Sequence, residues 1–453
     1  MGRRALNLPL LTIVAVAGLA FSQTEAEERI RAALPESIDD SFPGCAVGVF
    51  SNGKVVTSDF VGLADVAGKR PINADTQFYA ASVSKQFTAV AVMQLVIQGK
   101  LKLSDDIRKY LPEMPQYQRP VTVQMLLNHT SGIRDSLNLL RAAGYDYASR
   151  SSRSHALQLT MDQEQTNFDP GTRYAYSNGG YLLLAEIVAR VAEQPFGEYV
   201  EQYVLAPTGM TRSFVLDGSP AADPNLALGY VVKDGKIKQS NEYPLFGGSG
   251  GLITTVNDLA KWDYDLDQGQ KVWTPELLRL MTQLSTFNSG VKVASPNGIY
   301  YANGLLVGPH WIGHSGGASG FKTYYARHSE SRIGIAMLCN RGEINPLYHV
   351  DQIILALEKG LPPASERSVE AAAINGRYRS ESLNVTYLVE MNSDGNLNLS
   401  ILAPDESIRE TMTLEPTDAG SYKSSGMEIT PDSDGRGFSL KMSRFSLSFG
   451  RVS

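Results

Sequence analysis

The 453-residue sequence holds only two cysteines and six histidines. Two cysteines cannot build a disulfide-rich scaffold or a Cys-based zinc site. The histidines are scattered and no HExxH occurs, so the zinc signature of helix-borne metallopeptidases is missing. Basic residues are no richer: 41 Lys and Arg stand against 47 Asp and Glu, for a net charge of −6. Without a basic excess or a Lys/Arg run nothing neutralises phosphates, which excludes a nucleic-acid partner from the expectation. There is no internal repeat and no low-complexity tract. What is present is 43% hydrophobic and 19% charged residues, enough apolar material for a sizeable core and too little charge for a disordered chain. At roughly 100–200 residues per domain, the length fits two or three domains.

The N-terminus reads as a targeting segment. Arg3 and Arg4 precede a mostly apolar stretch from Leu6 to Leu19, with small residues at Gly18, Ala20 and Ser22. This is the pattern of a secretory signal peptide over residues 1–22, or, if uncleaved, of an N-terminal membrane anchor. No later run is long and apolar enough to span a membrane. From Gly44 to Phe50 a short apolar strand is predicted, then a turn at Asn52-Gly53 and a return strand from Lys54 to Val61. Ser82 to Gly99 reads as a helix with Phe87, Val90, Ala91, Gln94 and Leu95 on one face and Gly99 as its C-terminal stop. Tyr181 to Gln194 is a second helix. Three strand-like runs follow at Trp311–Ser315, Phe321–His328 and Arg332–Asn340, then a helix from Asn345 to Lys359. Strands at both ends with helices between them predict one α/β domain over 23–361 whose sheet joins distant pieces of chain. After Leu361-Pro362-Pro363 the pattern changes to short alternating runs, with hairpin signals at Asp394-Gly395 and Asp434-Gly435. Residues 362–453 therefore read as a separate antiparallel, barrel-like β domain.

Chemistry enters at Ser82-Val83-Ser84-Lys85. Residues three apart share a helix face, so a serine at the helix start has a lysine amine beside it. A serine hydroxyl is a poor nucleophile until a base takes its proton. A lysine with its ordinary pKa of about 10.4 cannot be that base, but burial lowers the value. The helix N-terminus also favours developing negative charge. Alone, S-x-x-K is common and unspecific; its company is what counts. Phe168 to Tyr181 reads FDPGTRYAYSNGGY, with Tyr176-Ser177-Asn178 in a Gly-rich loop, and Trp311 to Phe321 reads WIGHSGGASGF, with His314-Ser315-Gly316 before a Gly-rich turn.

These three motifs in this order resemble the penicillin-recognising serine hydrolases, above all the class C β-lactamase-like family with its D,D-peptidase, D-aminopeptidase and esterase relatives. LLNHTSGI (126–133), PGTRYAYSNGGYLLLAEIV (170–188), LAPTGMTRSF (205–214) and GGSGGLITTVNDLAKW (247–262) are similar to family hallmarks too. The resemblance spans about residues 30–360. It implies an α/β fold: a five-stranded antiparallel sheet flanked by helices, joined to a helical region, with the site between them. It further implies Ser82 as acylated nucleophile, Lys85 as its proton acceptor and Tyr176 as the phenol that shuttles a proton. Asn178 and Ser315 would hold the substrate, the Ser82 and Gly317 backbone N–H groups would form an oxyanion hole, and His314 would take the place where many members have Lys. The expected activity is serine hydrolysis of an amide or ester, such as a D-amino-acid-containing peptide or small ester, without metal or cofactor. β-Lactam hydrolysis is the alternative, and a non-catalytic receptor that keeps the fold is a third reading. An imidazole of ordinary pKa about 6.5 gives no fixed charge for a carboxylate at neutral pH, which weighs against an efficient β-lactamase. His129 reads as structural, Ser84 as packing or capping, and Gly247–Gly251 as either a flexible segment or a tight turn. Neighbouring first and last strands, as the resemblance implies, would bring Cys45 beside Cys339, where export would permit a disulfide.

Overall fold

The computed structural model describes residues 13–16, 19–34, 38, 40–51, 54–145, 151–216, 218, 223–233, 235–293, 299–308, 311–328, 332–347, 349–350, 353–354, 376–380, 385–391, 396–402, 408–417, 421–424, 427–431, 437–442 and 445–452. The expected turn at Asn52-Gly53, the expected linker at 361–363, both expected Asp-Gly hairpin tips and most of the N-terminal segment 1–22 lie outside them. Within that segment Ile13–Val16 pairs antiparallel with Leu19–Ser22. Among the described residues no helix is long and apolar enough to cross a membrane. Two compact units appear, one formed by Met1–Ala294 and Ile299–Gly360, the other by Leu361–Ser453.

The first unit is built on an antiparallel sheet of seven strands rather than five. Its order is Tyr300–Tyr301, Leu306–Val307, Trp311–Ala318, Phe321–His328, Ile333–Cys339, Cys45–Ser51, Lys54–Val61. The two added strands are two-residue pieces at the edge; five long strands make up the rest. Alternating side chains of the middle strands feed two cores, because successive residues point to opposite faces. Ala46, Phe50, Ala336 and Leu338 pack into the helical side, while Val47, Val49, Ile335 and Met337 pack with Ile30, Ile344 and Ile353 on the other. Burial on both faces is why these strands read as continuous apolar runs. Beyond them, residues 346–347, 349–350 and 353–354 are helical; the rest of that expected helix is not among the described residues.

On the helical side the sequence period misleads. Ser84–Ile97 has almost every position buried, from Ser84 through Met93. A helix apolar all round belongs in a core, not at a surface. It ends with Gly99 in a left-handed conformation (φ 69°), which a glycine adopts without steric cost. The second helix, Asn178–Ala192, starts three residues earlier than its apolar pattern, with Ser177 as N-cap accepting from the Gly180 N–H at 3.2 Å.

The second unit is a closed, eight-stranded antiparallel barrel. Gly376–Ser380 pairs with Val385–Met391 on one side and with Phe445–Val452 on the other, which closes the ring. Tyr378, Val389, Leu397, Leu399, Ile429 and Leu440 fill its interior. Closure removes the free strand edges that an open sheet of this size would expose.

Cys45 and Cys339 are directly opposed on neighbouring strands and form a disulfide, with Cα atoms 4.0 Å apart. The bond joins residues 294 positions apart in sequence. Closing a long loop restricts the unfolded chain, and such bonds typically contribute about 2–4 kcal/mol. Alkylation of unfolded, unreduced protein from an oxidising compartment should modify neither cysteine, and both after reduction. The paired Cys45→Ala, Cys339→Ala variant should fold with a melting temperature lowered by several degrees. Ready alkylation before reduction would contradict the bond.

Candidate active site

Ser82 does not open the long helix; it sits in a 3-10 turn, Ala81–Val83, immediately before it. The turn is held from two sides. Thr323 donates its hydroxyl to the Ala80 carbonyl at 2.7 Å, and the Ala80 N–H donates to the Leu252 carbonyl at 2.9 Å. Ser84 accepts from the Leu252 N–H at 3.1 Å, so its hydroxyl serves the same clamp. Ala81 is left-handed at φ 48°, a strained conformation for a residue with a Cβ, which persists only where surrounding contacts enforce it.

Lys85 carries its amine into the interior, with none of the residue exposed. Its Nζ lies 3.2 Å from Ser82 Oγ, 2.8 Å from Asn178 Oδ1 and 2.7 Å from the Ser249 carbonyl. Burial pushes its pKa down to about 7, with Asp135 pulling the other way. This geometry selects a role. Asn178 Oδ1 and the Ser249 carbonyl can only accept, so they take the two hydrogens of a neutral amine and leave its lone pair toward Ser82. The Gly247–Gly251 segment is thus a tight turn and part of the site together, since it presents the Ser249 carbonyl to the amine.

Tyr176 precedes the second helix, and the Ser82 hydroxyl acts on its phenol. Its ring lies 4.7 Å from the Lys85 Nζ and, tilted by 40°, 4.2 Å from the His129 ring. Although 38% of Tyr176 is exposed, its hydroxyl faces packed protein. Desolvation raises its pKa above the ordinary value, against the opposing pull of Ser82. The phenol is therefore neutral at rest. His129 joins two segments: its Nδ1 accepts from the Ser177 N–H at 3.2 Å, and its carbonyl from the Ala175 N–H at 2.9 Å. Burial pushes this imidazole's pKa well down.

His314 lies within the strand Trp311–Ala318, which continues past Gly316 through Gly317 and Ala318 before the chain turns. The Ser315 carbonyl, 2.6 Å away, can only accept, so His314 Nδ1 carries the proton; Nε2 then accepts from the Tyr301 hydroxyl at 3.1 Å. Burial first, and the Lys85 charge second, push its pKa down to about 3. The ring is thus neutral at pH 7 and well below it. Ser315 and Gly317 alternate onto the opposite face and are exposed. Within this strand only Ile312 and Gly313 pair with Leu306–Val307, so among the described residues His314–Ala318 has no strand partner on that edge.

Two residues of the site carried no sequence signal strong enough to find them. Asp135 accepts from the Asn178 N–H at 2.7 Å and from Asn178 Nδ2 at 2.8 Å. Its place before a helical stretch reads only as an N-cap. Tyr301, fully buried, lies in no motif.

Gly316 faces the serine turn. A Cβ there would stand 2.3 Å from Thr323 Oγ1, 2.5 Å from the Ala80 carbonyl and 3.0 Å from the Ser82 nitrogen. At Gly317 a Cβ meets only the Lys322 side chain, no closer than 3.2 Å. Gly316→Ala should thus abolish reactivity at Ser82 and lower the melting temperature, while Gly317→Ala should fold like the parent. Equal melting temperatures for the two variants would contradict this placement. For His314, ring carbon shifts measured by NMR should stay those of a neutral imidazole down to about pH 4–5, since a pKa near 3 leaves few charged rings there. A titration step near pH 6–7 would refute the assignment.

Comparison with known proteins agrees with this architecture. Residues 25–358 match the Beta-lactamase family. Protein flp of Staphylococcus aureus (strain N315) is 25% identical over 356 residues, covering 77% of this chain and 68% of that protein. The octameric penicillin-binding protein homologue from Pyrococcus abyssi is similar in structure with a TM-score of 0.66 at 25% identity, over 94% of this chain and 99% of that chain. D-amino acid amidase from Ochrobactrum anthropi SV3 shares the fold at a TM-score of 0.62 and 20% identity, over 75% of this chain and 99% of the other. With a family match that spans well over half of its length, this protein belongs to the Beta-lactamase family of serine hydrolases.

Proposed function

We propose that the protein hydrolyses an amide or ester through an acyl-enzyme on Ser82, with D-amino-acid-containing peptides or small esters as substrates. The observation that carries this reading is the Lys85 amine, 3.2 Å from Ser82 Oγ and with a pKa pushed down to about 7 by burial. In the first half-reaction Lys85 takes the Ser82 hydroxyl proton as Oγ bonds to the substrate carbonyl carbon. The resulting oxyanion is met by the Ser82 and Gly317 backbone N–H groups; one such donor is typically worth about 3–4 kcal/mol. Collapse breaks the bond to the leaving nitrogen or oxygen, which receives the proton from Lys85 through the neutral Tyr176 phenol. Water then adds to the acyl carbon, gives up a proton to the same pair, and releases Ser82. The unpaired edge at His314–Ala318 suits an extended substrate lying alongside the strand.

The name of the D-amino acid amidase relative supports the substrate class. The neutral His314 supplies no cation for a carboxylate, which is why β-lactams are placed second. A non-catalytic receptor would have no use for a lysine held at such cost in desolvation. The Cys45–Cys339 bond favours an oxidising compartment, and with it export by the N-terminal segment.

The test is labelling with a fluorophosphonate probe, read by intact mass, followed by turnover of nitrocefin, D-alanyl p-nitroanilide and p-nitrophenyl acetate. One adduct should form and vanish in Ser82→Ala. Lys85→Ala and Tyr176→Phe should each slow the reaction by about 10²–10⁴-fold. Because only the neutral amine accepts a proton, the rate should rise with pH to a plateau with its midpoint near the Lys85 pKa of about 7. Near-parental activity in Lys85→Ala would sink the assigned base, and preferential turnover of nitrocefin would reverse the order of substrates.

A further inference from the structure

Asp135 stands outside the three motifs, yet both of its oxygens are committed. Oδ1 accepts from the Leu137 and Asn138 N–H groups, each at 3.0 Å, and so caps the helix Ser136–Ala142. Oδ2 accepts from the backbone N–H and the side-chain Nδ2 of Asn178. The second pair has a chemical consequence. An amide side chain presents an acceptor at one end and a donor at the other. With Nδ2 held by a carboxylate, Oδ1 must face the Lys85 amine. The reversed orientation would set an amide oxygen against the carboxylate and an NH₂ group against the amine. Asp135 therefore decides which end of Asn178 meets Lys85, across 43 residues of sequence.

We propose that Asp135 is a positioning residue for acylation: through Asn178 it fixes the Lys85 amine beside Ser82, and its negative charge acts on that amine. This rests on the reading of Ser82 as nucleophile and Lys85 as base. Around the Lys85 amine lie Ser82, the Asn178 amide oxygen, the Ser249 carbonyl, and the rings of Tyr176 and Tyr181 at 4.7 and 5.3 Å. Two imidazoles also feel its charge, those of His129 and His314, and both are neutral. The phenols of Tyr176 and Tyr181 are neutral as well, since burial raises each pKa. Asp135 is thus the anion that acts on Lys85 among the described residues. Burial alone would make the amine easier to deprotonate; the carboxylate opposes it and keeps more of the amine charged near neutral pH. Removing that charge should make Lys85 a base at lower pH.

The experiment measures the rate of fluorophosphonate labelling of Ser82 across the acid limb of its pH profile. In Asp135→Asn the limb should move to lower pH by about one unit, the size of shift a nearby charge produces. The plateau should also fall, because the new NH₂ group confronts two donors of Asn178. Asp135→Ser retains a capping oxygen without charge, serves if the Asn variant fails to fold, and carries the same expected shift. Asp135→Glu keeps the charge and should hold the limb near that of the parent while lowering the plateau. A purely structural role would lower the plateau and leave the limb in place. An unmoved limb in the uncharged variants, with labelling still lost in Ser82→Ala, overturns this proposal and leaves the nucleophile standing. Labelling that survives Ser82→Ala overturns both.

Discussion

The site depends on one buried amine. Taking a charged ammonium out of water costs several kcal/mol, and a protein meets that cost by neutralising the group or by surrounding it with acceptors. Lys85 shows both responses. Its pKa falls to about 7, and three oxygens face its nitrogen. The acceptors come from segments 93 and 164 residues away, so the helix Ser84–Ile97 has to be enclosed before the amine becomes a base. The buried stretch Ser84–Met93 and the low pKa of the lysine are therefore one feature: the packing that hides that stretch is what desolvates Nζ.

The serine is positioned by the sheet. Thr323 and Gly316, opposed on neighbouring strands, press against the Ala80–Ser82 turn. Those strands stand in register through Ile333–Cys339 with the N-terminal strand Cys45–Ser51. Asn340 adds to the same seam: its Oδ1 accepts from the Gly44 N–H at 2.8 Å, and its Nδ2 donates to the Leu63 and Leu228 carbonyls. A seam closed by a disulfide and a saturated amide therefore supports, two strands away, the wall on which the serine turn rests.

The rings around the site form a neutral lining. His129, Tyr176, Tyr181, Tyr301 and His314 contact one another in series, with neighbouring ring centroids 4.2–6.4 Å apart. Burial raises the phenols and lowers the imidazoles, so each group stays uncharged. Such a lining keeps the local dielectric low, which strengthens the few charges that remain. Lys85 and Asp135 are the two that matter here, and Asn178 is the dipole between them.

Much of this was legible in the residues. The long strands follow from apolar runs bounded by turn residues, and the barrel from short alternating runs; the three-residue spacing of Ser82 and Lys85 brings the amine beside the hydroxyl, although the serine lies in the turn before the helix. Local periodicity failed where tertiary burial overrides it. Ser84–Ile97 shows no single apolar face because it is buried all round from Ser84 through Met93. Asn178 was read as part of a loop because its apolar pattern begins at Tyr181, although the Ser177 cap starts the helix earlier. Gly316 was read as preceding a Gly-rich turn, but nothing in the sequence shows that this strand residue must lack a side chain to let the Ser82 turn approach. Sequence alone determined which candidate groups are present and their chemical types. Only the tertiary structure decided their states: a lysine deprotonated near neutrality, a histidine without charge, and a carboxylate at Asp135 coupled to that lysine through Asn178. Protonation depends on desolvation and on charges brought together from distant segments, and neither is encoded in local order along the chain.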